Sequence, residues 1–270
     1  MTTADDRIAK TSNAASYGTA APLISVITVV FNAVATIKTT IESLTDQTYQ
    51  NIQFVVIDGG STDGTLDVLR QVADRIDYQS SEKDNGIYDA MNKGIAAARG
   101  DWILFLNSGD TFASPDVLQT VFKNGAPSDI DVLHGNVVVK GSGKVLRSPS
   151  RIGRRYFYSE TLCHQSIFAR RETFKRIGAF DPSYRVIADR EWLLRLASAR
   201  GRFTQINVDV CVWNPVGFSS ANINTWRLEV ATFQSKHFTR MERALLPWVM
   251  RVNYLWQELS RLVRGRAERE

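Results

Sequence analysis

The chain has 270 residues, of which 44% are hydrophobic and 23% charged, and its formal net charge is +5 at pH 7. This length suits one α/β domain and is too short for two, while the composition excludes a disordered or fibrous chain. The modest basic excess is compatible with a nucleotide, an acidic membrane surface or nucleic acid, and composition does not choose among them. The two cysteines, Cys163 and Cys211, lack metal-ligand spacing, which indicates small buried residues in a reducing compartment.

The first 21 residues are rich in Ala, Thr, Ser and Asp and contain no apolar core typical of a signal peptide. We therefore expect residues 1–21 to form a disordered leader. No stretch approaches the roughly 18 consecutive apolar residues of a membrane span. These features predict a cytoplasmic protein that is either free in solution or lies at the inner face of the cytoplasmic membrane.

Three apolar, β-branched runs have the length of strands that are buried on both faces: Leu23–Phe31, Ile52–Ile57 and Trp102–Leu106. Helical patterns separate them, and the last of these, Ile87–Ala98, ends before Gly100. Strands that alternate with helices in this way predict βαβ units and a parallel, doubly wound sheet.

Polar residues follow each of these strands directly. Asn32 follows the first strand, Asp58 the second, and Asn107 and Asp110 the third. Ligands of open α/β sheets bind beyond the carboxyl ends of the strands, where these side chains would meet. The pattern predicts a polar binding site along one edge of the sheet.

The second half of the chain is less regular. Asp131–Val139 and Lys144–Leu146 flank a Gly-Ser-Gly turn and predict a hairpin, and helical patterns recur at residues 171–176, 190–200 and 222–238. From 245 to 263, apolar residues that include Trp248 and Trp256 recur at helical spacing among arginines. This stripe is typical of an interfacial membrane helix, and it equally suits packing on the rest of the protein or a homodimer.

Five short motifs occur in one order along the chain: Thr28–Asn32 (TVVFN), Asp58–Gly64 (DGGSTDG), Asn85–Gly94 (NGIYDAMNKG), Phe105–Asp110 (FLNSGD) and Ile187–Trp192 (IADREW). Together they resemble the inverting family-2 glycosyltransferases with the GT-A fold, of the kind that builds bacterial surface polysaccharides. Each motif alone is weak, whereas five in sequence are specific. The resemblance covers about residues 22 to 220.

The resemblance implies an α/β protein of the GT-A type, with a mainly parallel central sheet flanked by helices. It divides the chain into a catalytic domain at 22–220 and a C-terminal helical extension at 221–270. Within that domain, 22–110 would bind the nucleotide sugar and 111–220 the acceptor. The implied reaction moves a sugar from a nucleoside diphosphate, UDP in the first instance, to a saccharide or lipid-linked saccharide with inversion.

For the donor, the resemblance implies that Asp58 accepts a hydrogen bond from the nucleotide base. Thr28, Phe31, Asn32 and Gly60 would shape the same pocket. A carboxylate can accept the imide N–H of uracil, a contact worth about 1–3 kcal/mol when buried. The alternative is that Asp58 only stabilises the turn before Gly59.

Asp84, Asn85 and Asn92 accompany the helix that the family places under the donor diphosphate and sugar. A helix N-terminus offers unpaired N–H groups to an anion. Asp84 would hold a sugar hydroxyl or orient its loop, and the alternative role is helix N-capping.

Asn107-Ser108-Gly109-Asp110 occupies the place of the family's acidic metal motif, in which two carboxylates hold Mg²⁺ or Mn²⁺ on the diphosphate. This chain has Asn and Gly at two positions of that motif, so Asp110 is the one predicted metal ligand, with Asn107 and Ser108 beside the donor. The departure leaves metal dependence open. A simple turn between strand and helix is the alternative.

Asp189 is the predicted catalytic base, since the family's base stands at the start of a helix against the active site. Direct displacement needs a base within about 3 Å of the acceptor hydroxyl. Glu191 is its nearest rival, and we place Glu191 and His164 on the acceptor side. N-capping is the alternative role for Asp189, and a structural role the alternative for His164.

Other functions fit the sequence less well. A nucleotidylyltransferase would need a Gly-rich, basic loop after the first strand, and a dehydrogenase would need G-x-G-x-x-G there. Nucleic-acid binding lacks a recognisable basic and aromatic module, so we expect no such partner. The remaining alternative is a degenerate nucleotide-sugar-binding protein that has lost its metal motif.

Overall fold

One nine-stranded sheet forms the centre of the computed structural model, which describes residues 21–215 and 222–248. The order across the sheet is β3-β2-β1-β4-β8-β6-β9-β5, and β7 pairs with β6. The strands are β1 (Ile24–Val30), β2 (Ile52–Asp58), β3 (Tyr78–Ser81), β4 (Trp102–Phe105), β5 (Thr111–Phe112), β6 (Val132–Val139), β7 (Val145–Leu146), β8 (Ile167–Arg170) and β9 (Phe203–Trp213).

The first half of the sheet confirms the predicted parallel, buried strands. Both β2 and β4 pair with β1 in parallel, and all seven residues of β1 are buried. In this register Val30 lies opposite Asp58, and Ile27 lies opposite Phe105. The carboxyl ends of the three strands therefore meet at one edge, as the polar residues after them predicted.

The second half of the sheet is mixed. β8 pairs antiparallel with both β4 and β6, β9 runs parallel to β6, and β5 pairs antiparallel with β9. The predicted hairpin is present, with Val137 opposite Leu146 and Val138 opposite Val145. This half extends the same sheet past β4.

Helices cover both faces of the sheet: α1 (Ile37–Thr45), α2 (Thr65–Gln71), α3 (Ile87–Ala97), α4 (Val117–Phe122), α5 (Arg171–Ile177), α6 (Ala188–Ser198) and α7 (Ile223–His237). Short 3₁₀ helices lie at Ala73–Arg75, Arg154–Tyr158 and His164–Ser166. Alternate residues of β1 point to two cores, because side chains in a strand alternate between faces. Ile24 and Val26 pack in the core of α1 and α4, while Ile27 and Val29 pack in the core of α3 and α6.

The C-terminal helices pack against the rest of the protein. Phe233 of α7, Phe238, and Leu246 of the helical residues 240–248 are buried in the same cluster as α6. Glu242 also forms an ion pair with Arg154. At the start of the predicted 245–263 stripe, Leu245 and Trp248 are exposed and Leu246 between them is buried. Residues 249–263 lie outside the described residues, as do residues 1–20 of the predicted leader.

Other apolar side chains of these helices face outward. Ile223, Trp226, Leu228, Met241, Leu245 and Trp248 are all exposed. Among residues 21–215 and 222–248, none of the helices has the length and apolar character needed to cross a bilayer.

Candidate active site

A cleft of about 1050 Å³ opens at the carboxyl edge of β1, β2 and β4. Its first wall comes from the segments that follow these strands, and its second from the segments around β8, α6 and the β6–β7 hairpin. Its lining includes Phe31, Gly59, Gly60, Lys83, Asp84, Asn107, Ser108, Asp110, Arg147, His164, Gln165 and Asp189. Such a volume admits a ligand larger than one monosaccharide.

Asp189 is the second residue of α6 and lies in the cleft wall. Its Oδ1 accepts the backbone N–H of Arg190 at 2.8 Å and lies 3.0 Å from the Tyr88 hydroxyl. Its Oδ2 lies 3.3 Å from His164 Nδ1. The carboxylate is therefore held in a fixed orientation from one side, with Oδ2 directed towards His164.

His164 joins this carboxylate to the end of β4. Its Nε2 lies 3.0 Å from Asn107 Nδ2. Burial by itself lowers the pKa of His164, but the hydrogen bond and charge of Asp189, with the charges of Cys163 and Asp110, outweigh burial and raise the pKa. An imidazole that donates from Nδ1 to Asp189 leaves Nε2 as an acceptor for the Asn107 amide.

Behind this pair lies a small cavity of about 20 Å³, with Phe105, Phe174, Phe180 and Trp192 among its lining residues. An apolar lining offers the carboxylate no polar partner from that side. A further hydrogen bond to Asp189 Oδ2 can therefore come only from the side of the cleft.

The sequence did not single out two residues that hold the start of α6. The Tyr88 hydroxyl lies 2.9 Å from the Val186 carbonyl oxygen as well as near Asp189. Glu229 on α7 accepts the backbone N–H groups of Arg185, Val186 and Ile187 at 2.6 to 3.2 Å. Tyr88 belongs to the motif Asn85–Gly94, which could have drawn attention to it, whereas no local pattern connects Glu229 with a segment 42 residues away.

Asp110 is buried at the floor of the cleft. Its Oδ2 accepts the Gln165 amide, and its Oδ1 accepts the backbone N–H of Asn214, both at 2.8 Å. Burial raises the pKa of Asp110, and these two hydrogen bonds and the nearby His164 and Lys140 charges oppose that rise only in part. The carboxylate thus connects the end of β4 to Gln165, in the 3₁₀ turn His164–Ser166, and to the end of β9.

In the described part of the chain, few protein oxygen atoms near Asp110 are available to bind a divalent metal ion. Asn107 Oδ1 is buried with no hydrogen-bond partner among the described residues, which leaves one hard oxygen donor near Asp110. Within 21–215 and 222–248, His, Cys, Asp and Glu side chains form no group of three that could hold a metal. These donors fit an ion of the Mg²⁺ type that takes most of its ligands from water and substrate phosphates.

Asp58 does not reach the cleft, which corrects the predicted contact between Asp58 and the base. Its side chain is 0% exposed. Oδ2 accepts the N–H groups of Gly60 and Ser61 and the Ser81 hydroxyl, and Oδ1 accepts the Ser61 hydroxyl. The turn after β2 closes over the carboxylate, so the alternative role of Asp58 in stabilising this turn is the one seen.

Three more predicted contacts are corrected. The buried Thr28 hydroxyl donates to the Leu106 carbonyl and joins β1 to the end of β4. The Asn92 side chain exchanges two hydrogen bonds with the backbone of Phe180. Glu191 is 2% exposed and paired with Arg195. Glu191 lies two residues after Asp189, a rotation of about 200° around the helix, and so faces away from the cleft.

The remaining predicted donor residues shape or line the first wall. Asn32 has a left-handed backbone with φ of 47°, and its Oδ1 accepts the Thr62 N–H. Asn85 is exposed, and its N–H donates to Asp89 at the start of α3. The Ser108 hydroxyl lies 2.9 Å from that of Thr36. Phe31 and Gly60 line the cleft directly.

Solved structures share this architecture. TarS residues 1–349 of S. aureus, in complex with UDP-GlcNAc, match with a TM-score of 0.63 at 17% identity, over 83% of this chain and 70% of that one. The mannosyltransferase PcManGT of Pyrobaculum calidifontis, in complex with GDP-Man and Mn²⁺, matches with a TM-score of 0.62 at 21% identity, over 83% and 65%. A longer TarS chain is covered over 42% of its length. The class is therefore an α/β protein of the GT-A glycosyltransferase fold.

Sequence comparison narrows the class to a family. The pattern of Glycosyl transferase family 2 matches residues 25–200. A PGL/p-HBAD biosynthesis glycosyltransferase of Mycobacterium bovis is 33% identical over 209 residues, which cover 76% of this chain and 81% of that relative. The chain belongs to glycosyl transferase family 2.

Proposed function

We propose that this protein transfers a sugar from a nucleoside diphosphate, UDP in the first instance, to a hydroxyl of a saccharide or lipid-linked saccharide, with inversion. One observation carries the proposal. Asp189, His164 and Asn107, which lie on three separate segments, are joined by hydrogen bonds in the wall of a cleft whose floor holds Asp110.

Asp189 acts as the general base in this scheme. Tyr88 and the Arg190 N–H fix Oδ1, and an acceptor hydroxyl in the cleft would donate its proton to Oδ2. The deprotonated oxygen forms a bond to the anomeric carbon while the bond from that carbon to the diphosphate breaks, which inverts the configuration. His164 orients Asp189 from the cleft side and, through Nε2, holds the Asn107 amide at the end of β4.

The diphosphate side of the cleft favours an anion. Lys83 and Arg147 line the cleft, and α3 begins beside it with an N-terminus that attracts negative charge. A divalent Mg²⁺ or Mn²⁺ held near Asp110 and Asn107 would neutralise the charge of the leaving diphosphate. The complexes of the structural neighbours with UDP-GlcNAc and with GDP-Man and Mn²⁺ support such a donor.

The acceptor is proposed to be presented at a membrane surface. The exposed apolar residues of α7 and 240–248 include Trp226 and Trp248, and Arg227, Arg240 and Arg243 lie on the same helices. Aromatic and basic side chains together suit an anionic bilayer surface. A homodimer through the same helices is the competing use of this face, and binding to vesicles or a doubled mass in solution distinguishes the two. The name of the mycobacterial relative, which refers to PGL/p-HBAD biosynthesis, is in keeping with assembly of a surface glycoconjugate.

One observation favours a second candidate, a nucleotide-sugar-binding protein without catalysis. Both oxygens of Asp110 are hydrogen-bonded within the protein, so the metal motif offers less charge than two free carboxylates. Turnover distinguishes the two candidates, because a protein that only binds the donor is stabilised by it without cleaving it.

The test is a panel of UDP, GDP, CDP and dTDP sugars, measured as protection against thermal unfolding with and without Mn²⁺. A donor at a hundred times its Kd stabilises the folded state by about 2.7 kcal/mol. Donors that protect are then incubated with saccharide acceptors, and NMR of the product reports the anomeric configuration. Absence of protection by every nucleotide sugar contradicts the proposal, and retention of configuration contradicts the inverting mechanism.

A further inference from the structure

We infer that Asp84 is the carboxylate that recognises the nucleotide base, and that residue 59 is glycine to make room for it. The inference rests on the proposed donor site and deepens it. Its starting point is that Asp58, the carboxylate at the end of β2, is buried with both oxygens bonded. Base recognition in this cleft therefore needs another acceptor.

The Asp84 carboxylate occupies the space that a side chain at position 59 would fill. A Cβ built on Gly59 would lie 2.4 Å from Asp84 Oδ2 and 3.1 Å from Asp84 Cγ. The distance of 2.4 Å equals the distance between Cβ and a carboxylate oxygen inside any aspartate side chain. The loop between β3 and α3 thus delivers a carboxylate oxygen to the end of β2, although β2 carries no side chain there.

The backbone at Gly59 does not itself demand glycine. Gly60, Gly64 and Gly86 have positive φ angles, whereas Gly59 does not. Space is the reason for the missing side chain, because even a methyl group at position 59 would meet Asp84 Oδ2 below the closest approach that real Cβ atoms show.

The two oxygens of Asp84 have different surroundings. Oδ1 accepts the backbone N–H of Gly86 at 2.9 Å and so anchors the loop. Among the described residues, that bond is the one hydrogen bond of the Asp84 side chain, which leaves Oδ2 beside Gly59 in the cleft wall. A carboxylate oxygen so placed can accept a hydrogen bond only from a ligand or from water.

An exposed aromatic ring stands next to this oxygen. Phe31 is 62% exposed, and its Cδ2 lies 3.4 Å from the same Cβ position at Gly59. A large apolar ring in the cleft offers a surface on which a planar base can stack. A stacking surface with a hydrogen-bond acceptor at its edge recognises a flat ring that carries an N–H donor.

This chemistry selects among the bases. Uracil and thymine present a ring N–H between two carbonyls, and guanine presents a ring N–H next to an amino group. Cytosine and adenine present an unprotonated ring nitrogen at that edge, which a carboxylate repels. The site should therefore bind UDP, dTDP or GDP in preference to CDP and ADP.

The first test is Asp84→Asn, with Asp74→Asn, an exposed change outside the cleft, as control. Asparagine keeps the acceptor for Gly86 N–H and turns Oδ2 into an amide donor. We expect UDP and GDP to bind about 10- to 100-fold more weakly by calorimetry, with unchanged or tighter binding of CDP. Unchanged preference for UDP or GDP over CDP in this variant overturns the inference.

The second test leaves Asp84 in place. Gly59→Ala should displace its carboxylate and produce a similar loss, whereas Gly153→Ala, where nothing lies within 4 Å of an added Cβ, should not. Because both changes act on one contact, the affinity of the double variant Gly59→Ala with Asp84→Asn should be no lower than that of the single variant with the lower affinity. Additive losses contradict the inference.

An exchange of positions provides the sharpest result. In the double variant Gly59→Asp with Asp84→Ser, the carboxylate comes from β2, and serine at position 84 still offers an oxygen to Gly86 N–H. We expect UDP or GDP binding to recover to within a few-fold of the parent protein. A wild-type protein that binds no nucleoside diphosphate contradicts the proposed function itself, whereas a wild type that binds one while these variants show no change contradicts only the role of Asp84.

Discussion

The two walls of the cleft use their aspartates differently. On the first wall, Asp58 accepts four hydrogen bonds from its own turn and from Ser81, and neither of its oxygens faces the cleft. On the opposite wall, Asp189 has Oδ1 held by Tyr88 and by a backbone N–H, while Oδ2 faces His164 and the cleft.

The difference shows how position at the end of an element decides the use of a carboxylate. A strand end is followed by a turn whose N–H groups need acceptors, so an aspartate there is drawn into the backbone. At the start of α6, Asp189 gives only Oδ1 to the backbone N–H of Arg190, and Oδ2 stays on the side of His164 and the cleft. Substitution of an aspartate on either wall should therefore affect different properties: turnover at Asp189 and stability at Asp58.

Asp189→Asn should replace the proton-accepting carboxylate by a neutral amide of the same shape. General-base catalysis contributes about 10²- to 10⁴-fold, so we expect kcat to fall by that factor, with donor binding within twofold of the parent. Steady-state kinetics and calorimetry on the same preparation measure both quantities. Normal turnover in this variant removes Asp189 from the mechanism. Glu191→Gln, which alters a buried pair outside the cleft, serves as a control and should act on stability.

Asp58→Asn should act on folding. The amide places a donor where Gly60, Ser61 and Ser81 need an acceptor, and we expect the free energy of unfolding to fall by about 2–4 kcal/mol. Urea denaturation measures the change, with Asp84→Asn as the matched cleft variant that should cost less than about 1 kcal/mol. If Asp58→Asn were fully stable and lost only donor binding, the contrast between the walls would be wrong.

His134 in β6 provides a pH test of the second half of the sheet. Burial lowers the pKa of His134 to about 4, whereas the pKa of histidine in an unfolded chain is about 6.5. Between these pH values the unfolded state binds a proton that the folded state does not bind. The free energy of unfolding should therefore decrease by up to roughly 3 kcal/mol as pH falls from 6.5 to 4. The stability difference between wild type and His134→Gln should shrink over this range. A constant difference would contradict a buried neutral imidazole.

Glu229→Gln should give the smallest effect. The variant retains one oxygen acceptor and loses the charge that holds the N–H groups of residues 185–187, so the start of α6 becomes less fixed. We expect kcat to fall about tenfold, in the range typical of residues that orient a ligating or catalytic group, while KM for the donor is unchanged. Glu172→Gln on α5 is the control. A rise in KM with unchanged kcat would place Glu229 in binding instead.

Much of the fold could be predicted because its signals are local. The runs of β1, β2 and β4 are continuous and β-branched, and the helices between them have buried residues at helical spacing. The second half was less predictable, since the two-residue strand β5 pairs with β9, which lies far along the chain.

Within the site, the sequence by itself determined which segments border the cleft, because the ends of parallel strands must meet at one edge and polar residues mark those ends. Only the tertiary structure decided what each side chain does there. Asp58 is closed off by its own turn, Glu191 lies on the far side of its helix, and Asp84 occupies the space left at Gly59. Hydrogen-bond partners and free volume depend on residues brought together from separate segments, and a one-dimensional pattern does not contain those distances.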